Sequence, residues 1–241
     1  MPLIETDAIV INSLKLGEAD KLVTFYSSKL GKIKVIAKGA RKMKNKYGSS
    51  LEPFTLGHLV IYDKNAQVMY RLFQSDIIES FQKLRSDFDK IIYTSNFCLL
   101  VESLSPEGDP SPPIFNLFLK LLDHLKSYNA TSNVINLFKT KLIGYAGYEM
   151  CLDQCVKCRE SQSQVSFSPL LGGIVCSSCL PLSAGQSFSV SMAAQAVLRR
   201  TFKLDPDLVP RIKPSEEVIK EISRILDVFI FHILGKKFPS I

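Results

Sequence analysis

The run Leu22-Val-Thr-Phe-Tyr26, the turn Leu30-Gly-Lys32 and the run Ile33-Lys-Val-Ile-Ala37 decide how the first part of this chain folds. β-Branched and aromatic residues dominate both runs, and such residues pack well on the pleated surface of a sheet. Lys32 and Lys34 alternate with apolar neighbours, which is typical of a strand with one buried and one solvated face. The stretch therefore predicts two strands separated by a turn that contains glycine.

Further runs of the same character raise the number of strands predicted over residues 1–80 to about five. These runs are Ala8-Ile-Val-Ile11, His58–Asp63 and Val68–Phe73. Lys64-Asn65-Ala66 separates the last two and predicts a hairpin turn. Five short strands fit a small closed barrel of the OB-fold type, and another small β-barrel or a sandwich fits the same strand count.

Helical patterns replace the strand pattern after Phe81, so the sequence predicts an α+β chain. Ser86 and Asp89 can form a capping box ahead of an apolar helical stripe, and Pro112 or Pro113 can occupy the first turn of the next helix. Later stripes with helical spacing cover Asn133–Tyr148, Met192–Phe202 and Val218–Ile233. These stripes are typical of the core of a helical bundle.

Two pairs of cysteines carry the clearest chemical signal in the sequence. Cys155 and Cys158 form one C-x2-C motif and Cys176 and Cys179 form another, with seventeen residues between the motifs. Two such motifs supply the four thiolates of a tetrahedral Zn²⁺ site, with free thiols or a redox pair as the alternative. Four thiolates leave no open position for water, so we predict one structural zinc ion per chain. Cys151 lies four residues before the first motif and is a competing ligand.

These patterns predict the domain organisation of the chain. Residues 1–80 form the small β-domain, for which the OB-fold is one of the alternatives. Residues 81–150 and 185–241 form a helical domain in two parts, and residues 151–184 form a zinc-binding module between them. Lys157 and Arg159 lie beside the first cysteine motif, where they either neutralise the negative charge of a Zn(Cys)4 centre or contact DNA.

The positive charge of the chain is concentrated in one segment. The 241 residues include 30 Lys and Arg and 23 Asp and Glu, which gives a net charge of +7. Between Lys29 and Leu51 there is no acidic residue, and the cations are Lys29, Lys32, Lys34, Lys38, Arg41, Lys42, Lys44 and Lys46. Such a run indicates binding to nucleic-acid phosphates, with a solvated charge run as the alternative. We predict DNA contacts from Lys32 through Lys46 in this set and a base-stacking face at Tyr47.

Motifs for catalysis or export are missing from the sequence. Its three histidines lie in different segments, and there is no Walker loop, nucleophile elbow or H-E-x-x-H motif. There is also no secretory signal and no apolar run long enough to span a bilayer. We therefore predict a cytoplasmic protein without enzymatic activity, with its cysteines reduced.

A series of short motifs occurs along the chain in a fixed order. The series is Glu18-Ala-Asp-Lys-Leu-Val23, Leu30-Gly-Lys32, Ala37-Lys-Gly-Ala-Arg41, Leu51-Glu-Pro-Phe54, Leu104-Ser-Pro-Glu-Gly108, Leu142-Ile-Gly-Tyr145, Phe167-Ser-Pro169 and Gly172-Gly173. It resembles the RecO family of bacterial DNA repair proteins, and the resemblance covers residues 1–185. The C-terminal helices match the family by position only.

The resemblance implies an N-terminal OB-fold, a helical domain and an inserted zinc module. It also implies mediation of homologous recombination in the RecF pathway, through binding of single- and double-stranded DNA, annealing of complementary strands and help in loading recombinase onto protein-coated strands. The implied partners are RecR and the acidic C-terminal tail of single-strand-binding protein, at the nucleoid. Some family members lack the four cysteines, so zinc is not needed for the activity across the family. The alternatives are a zinc-ribbon transcription or translation accessory protein and an enzyme with a hidden nuclease site.

Overall fold

Residues 3–62, 69–161, 164–182 and 187–236 are described by the computed structural model of the chain. The contacts between Cα atoms divide the chain into two compact units, Met1–Asn129 and Ala130–Ile241. The predicted hairpin turn at residues 64–66 lies outside the described residues, as do parts of the predicted zinc module at 162–163 and 183–184.

Five strands of the N-terminal unit close into a barrel. They are β1 Leu3–Leu16, β2 Asp20–Ser27, β3 Gly31–Ala37, β4 Leu56–Tyr62 and β5 Tyr70–Glu79. The order around the barrel is β1-β2-β3-β5-β4, with β1 paired to β4, so the sheet has no free edge along β1 or β4. β3 and β5 are parallel and pair at only two positions, whereas the other neighbours are antiparallel. The five-stranded barrel predicted from the sequence is confirmed.

The side chains of β3 alternate between the apolar core of the barrel and its outer surface. Ile33 and Val35 are buried and belong to the barrel core, whereas Lys32 and Lys34 point away from it and stay partly exposed. Gly31 begins the strand with a φ of +64°, and a Cβ atom there would lie 2.0 Å from the carbonyl oxygen of Asp109. Only glycine fits this position, because the left-handed backbone and the close carbonyl both exclude a side chain.

Two helices complete the N-terminal unit, α1 Phe88–Leu104 and α2 Pro112–Ser127, after a 3₁₀ helix at Gln82–Ser86. The sequence predicted a capping box from Ser86, but Asp87 caps α1, since its carboxylate accepts a hydrogen bond from the backbone N–H of Lys90 at 3.1 Å. Pro112 stands in the first turn of α2, as expected. The rings of Phe97 and Phe118 pack between the helices with centroids 5.5 Å apart.

In the C-terminal unit, the described residues form three α-helices and a small sheet. The helices are α3 Ser132–Tyr145, α4 Met192–Lys203 and α5 Glu216–Leu234, with 3₁₀ turns at Leu180–Leu182 and Pro206–Arg211. The sheet consists of β6 Val165–Ser168, β7 Gly173–Cys176 and β8 Phe188–Ser189 in the order β7-β6-β8. The side chain of Lys141 joins α3 to α4, because its ammonium donates to the carbonyl oxygens of Phe202 and Leu204 at 2.8 and 2.9 Å. None of the described helices has the length and apolar character needed to cross a membrane.

Candidate metal centre and nucleic-acid interface

The two cysteine pairs predicted from the sequence come together at one point of the C-terminal unit. The Sγ atoms of Cys155, Cys158, Cys176 and Cys179 all lie within 4.8 Å of one another. Those of Cys158 and Cys176 are 3.7 Å apart. Thiolates bound to a tetrahedral ion at about 2.3 Å lie about 3.8 Å from one another. The four residues therefore fit a tetrahedral metal site.

The backbone around Cys155 prepares this residue to be a thiolate. The turn closes through hydrogen bonds from Arg159 N–H to Cys155 O and from Cys155 N–H to Glu160 O, both 2.9 Å, with Arg159 at a φ of +62°. The N–H of Cys176 approaches the Cys155 sulfur at 3.4 Å. Burial opposes ionisation of Cys155, but backbone hydrogen bonds from Cys158, Cys176 and Lys157 together lower its pKa to about 6. A thiolate is the form that binds a metal ion.

Cys151 takes part in the metal module through its backbone and not as a ligand. Its N–H donates to Gly172 O and its carbonyl accepts from Ile174 N–H, both at 2.9 Å. This pairing is close, because a Cβ atom on Gly173 would lie 2.4 Å from the Cys151 carbonyl oxygen. Among the described residues, the group whose atoms lie close enough together to hold a metal ion consists of the four predicted cysteines without Cys151. Lys157 and Arg159 are exposed beside it.

The cations of the basic segment divide into two groups with different surroundings. Lys32 donates from its ammonium to the Glu102 carbonyl oxygen at 2.6 Å, and Lys34 forms an ion pair with Glu107 at 2.6 Å. This hydrogen bond and charge raise the pKa of Lys34 and lower that of Glu107. The sequence indicated cations without acidic partners, and for Lys34 this is wrong, because Glu107 is distant in sequence but adjacent in space. Lys32 and Lys34 are thus already engaged within the protein.

The second group forms an exposed loop between β3 and β4, which we call the basic loop (residues 38–46). Its exposed cations are Lys38, Arg41, Lys42, Lys44 and Lys46. The first half of the basic loop is held at the β1–β2 turn: the Arg41 guanidinium donates to Gly17 O at 2.8 Å and the Gly39 N–H donates to Asp20 Oδ1 at 2.8 Å. These contacts fix the backbone while leaving the positive side chains in solvent.

Tyr47 fastens the other end of the basic loop to the barrel. Its ring is 5% exposed and packs in the barrel core, and its hydroxyl donates to Leu72 O at 3.1 Å. The ring therefore has no face free for a base, which corrects the prediction that Tyr47 stacks on DNA. Phe73, which the sequence analysis did not single out, is instead exposed beside the loop. The sequence holds no alternation that singles out Phe73, because β5 has an extra residue at this point relative to β4.

Two family models together match nearly the whole chain. The model "Recombination protein O N terminal" matches residues 1–81, and "Recombination protein O C terminal" matches residues 85–240. The chain belongs to the RecO family. The N-terminal RecO model ends two residues after β5, and the C-terminal RecO model contains α1–α5 and the four cysteines.

Curated relatives support membership of the RecO family over the whole chain. The DNA repair protein RecO of Clostridium acetobutylicum is 33% identical over 236 residues, which cover 95% of this chain and 92% of the relative. That of Clostridium novyi is 30% identical over 244 residues, which cover 100% of this chain and 93% of the relative. That of Bacillus pumilus is 27% identical over 243 residues, with 99% and 94% covered. The chain is accordingly a RecO-family DNA repair protein, and not the transcription or translation accessory protein considered as an alternative.

Proposed function

We propose that this RecO-family protein is a recombination mediator of the RecF pathway that binds single- and double-stranded DNA and anneals complementary strands. It also helps to load recombinase onto strands coated by single-strand-binding protein, and it acts in the cytoplasm at the nucleoid. The observation that supports this most strongly is the basic loop, where five exposed cations lie on a backbone anchored to a closed barrel. The proposed role is binding and strand pairing, without an enzymatic step.

The composition of the basic loop supports binding to phosphates without sequence preference. Four of its five exposed cations are lysines, which act as flexible point charges, whereas readout of bases relies on planar groups such as arginine. An annealing protein must accept any sequence and must reduce the repulsion between two negatively charged strands. Cations that bind phosphates meet both requirements, because phosphate contacts carry no sequence information.

We infer that the metal ion is Zn²⁺ and that its role is structural. Four thiolates in tetrahedral arrangement are the ligand set of structural zinc sites, and they leave no position for a substrate or water. When bound, zinc cross-links the turn at residues 155–158 to the end of β7. The cysteines hold this hairpin module in place, and the exposed Lys157 and Arg159 offset the negative charge of four thiolates around one divalent ion.

A pocket in the C-terminal unit supports the proposed acidic tail of single-strand-binding protein as a partner. Arg200, Arg211 and Lys213 line it together with the apolar side chains of Leu204 and Leu208. Its lining contains no acidic residue, so it suits a short peptide that carries both negative charge and an apolar group. RecR is the second proposed partner, and we assign no surface to it.

The tail proposal is tested with a synthetic peptide of the partner's C-terminal residues. We expect binding by fluorescence anisotropy that weakens at least tenfold in the double variant Arg200→Ala and Arg211→Ala, since two charge contacts are lost. Lys83→Ala combined with Lys236→Ala is the control, because it removes the same charge elsewhere. Equal binding of the peptide by both variants would show that the tail binds to another surface.

The mediator proposal is tested by annealing of complementary strands coated with bacterial single-strand-binding protein. We expect this protein to accelerate annealing of the coated strands, and we expect a variant without the basic-loop cations to lose that acceleration. No acceleration by the wild type would refute the proposed function. Metal-dependent cleavage of the strands in the same reactions would reveal a nuclease instead.

A further inference from the structure

Phe73 is an exposed aromatic side chain at an irregularity of the barrel. On β4, Ile61 pairs with Leu72 and the next residue, Val60, pairs with Gln74, so Phe73 is the extra residue of a β-bulge with no partner across the sheet. Its side chain is 49% exposed. Bulges redirect side chains and are frequent beside functional sites.

The ammonium of Lys46, a residue of the basic loop, lies over this ring in a cation–π contact. This ammonium is 5.0 Å from the centroid of the Phe73 ring and donates a hydrogen bond to the Phe73 carbonyl oxygen. Tyr47 fastens the loop one residue further on, through Leu72 O. The structure thus places an exposed lysine and an exposed aromatic ring in contact, with the backbone held at Tyr47 and Leu72. Proteins that bind single strands commonly combine cations for the phosphates with aromatic side chains on which bases stack.

We propose that Phe73 is a base-stacking residue for single-stranded DNA, with Lys46 bound to the phosphate of the stacked nucleotide; this rests on the proposed function of the basic loop. Stacking requires an unpaired base, because a base in a duplex has both faces covered by its neighbours. Phe73 therefore contributes to binding of single strands and not of duplexes. A base held by its face keeps its pairing edge free, which is what annealing to a complementary strand needs.

Ile78 provides a matched control on the same strand. It is the extra residue of the second bulge of β5, since Ile77 pairs with Gly57 and Glu79 pairs with Leu56, and it is 52% exposed. Five residues of extended strand separate it from Phe73, a distance of about 16 Å. Removing Ile78 thus repeats the change in exposed apolar surface at a bulge, away from the basic loop.

The first test measures the affinity of variants for a thymidine oligonucleotide and for a duplex of equal length. We expect Phe73→Ala and Phe73→Leu to weaken binding of the single strand roughly tenfold, duplex binding to change by less than about twofold, and Phe73→Tyr to retain binding. The dependence of affinity on salt stays unchanged in these variants, because no phosphate contact is removed. Equal losses on single strand and duplex, or the same loss from Ile78→Ala, would overturn the proposal.

The second test reads stacking directly. The chain contains no tryptophan, so Phe73→Trp and Ile78→Trp each introduce a single tryptophan whose emission can be excited selectively over that of the tyrosines. We expect single-stranded DNA to quench the Phe73→Trp emission strongly, an abasic strand and a duplex to quench it little, and Ile78→Trp to respond to none of them. If the wild type binds single strands with a steep salt dependence and the Phe73→Trp emission is not quenched, the stacking proposal is wrong while the proposed function of the basic loop stands. If the wild type does not bind single strands, the proposed function fails with it.

Discussion

Replacing Lys38, Arg41, Lys42 and Lys44 with alanine removes four of the five exposed cations of the basic loop. Among the described residues, only Arg41 of these four donates a hydrogen bond from its side chain, and its acceptor is the exposed carbonyl of Gly17. The attachment of the loop through Tyr47 is untouched. We therefore expect the midpoint of thermal unfolding to change by less than about 2 °C, because exposed substitutions of this kind rarely cost stability.

The structure sets the magnitude of the effect on DNA binding. Lys29 donates to the Glu5 carbonyl oxygen at 2.7 Å, and Lys32 and Lys34 contact Glu102 and Glu107. We therefore count the five exposed cations of the basic loop as the phosphate contacts. Each phosphate neutralised on a single strand contributes about −0.7 to the slope of log affinity against log salt, so the wild type has a slope of about −3.5 and the variant about −0.7. Between roughly 50 and 200 mM salt the affinity of the wild type falls about 130-fold and that of the variant about 3-fold.

The assay is fluorescence anisotropy with several unrelated oligonucleotides across this salt range. A control variant loses four exposed lysines outside the loop; they are Lys83, Lys203, Lys220 and Lys236. Its slope should equal that of the wild type, because net charge at a distance is screened. A wild-type slope shallower than about −1.5, or a slope lost equally in both variants, would refute the assignment of the phosphate contacts to the basic loop.

Three further substitutions test the cysteine group, the attachment of the basic loop through Tyr47, and the ion pair between Lys34 of β3 and Glu107. Cys176→Ser should remove the single bound zinc ion, measured by metal analysis, and loosen the hairpin in hydrogen exchange, because ligation contributes directly to folding; freshly purified wild type without zinc would contradict this. Tyr47→Phe should cost about 1 kcal/mol in urea unfolding through the lost bond to Leu72, with single-strand affinity unchanged; a loss of affinity without a loss of stability would restore Tyr47 as a DNA contact. Lys34 lowers the pKa of Glu107, so the pair stabilises the fold above the unfolded-state pKa of Glu and loses this effect as pH falls through the folded pKa. The free energy of unfolding should therefore fall less between neutral pH and a pH of about 3 in Glu107→Gln than in the wild type. The difference should be small, because the ion pair is at the surface. An unchanged pH profile of stability would exclude the ion pair in solution.

The parts predicted correctly are those encoded by local patterns. The alternation around Ile33 and Val35 gives the strand and its buried face, because side chains on a strand alternate between the two faces of a sheet. The two C-x2-C motifs give the cysteine group, because the spacing within each pair already brings two sulfur atoms together. Gly31 at the start of β3 and Pro112 at the start of α2 likewise reflect local backbone requirements that a sequence shows directly.

The remaining features depend on neighbours far away in the sequence. Lys34 cannot be distinguished from Lys44 by composition, but Glu107 lies beside only the former. Tyr47 is flanked by polar and charged residues, yet it is buried because the loop folds back over Leu72. Phe73 is exposed because β5 has one residue more than β4 opposite it, and that register is a property of the pair of strands. Each of these outcomes is set by tertiary contacts, which no local pattern contains.

Photochemical cross-linking of a thymidine-based single strand to the wild-type protein tests the central claim most directly, namely that single strands lie along the basic loop and β5. Mass spectrometry then identifies the cross-linked residues. We predict attachment within residues 38–46 and at Phe73, lost when duplex competitor or the four-alanine variant is used. Cross-links confined to residues 130–241, with none in the barrel, would contradict the account.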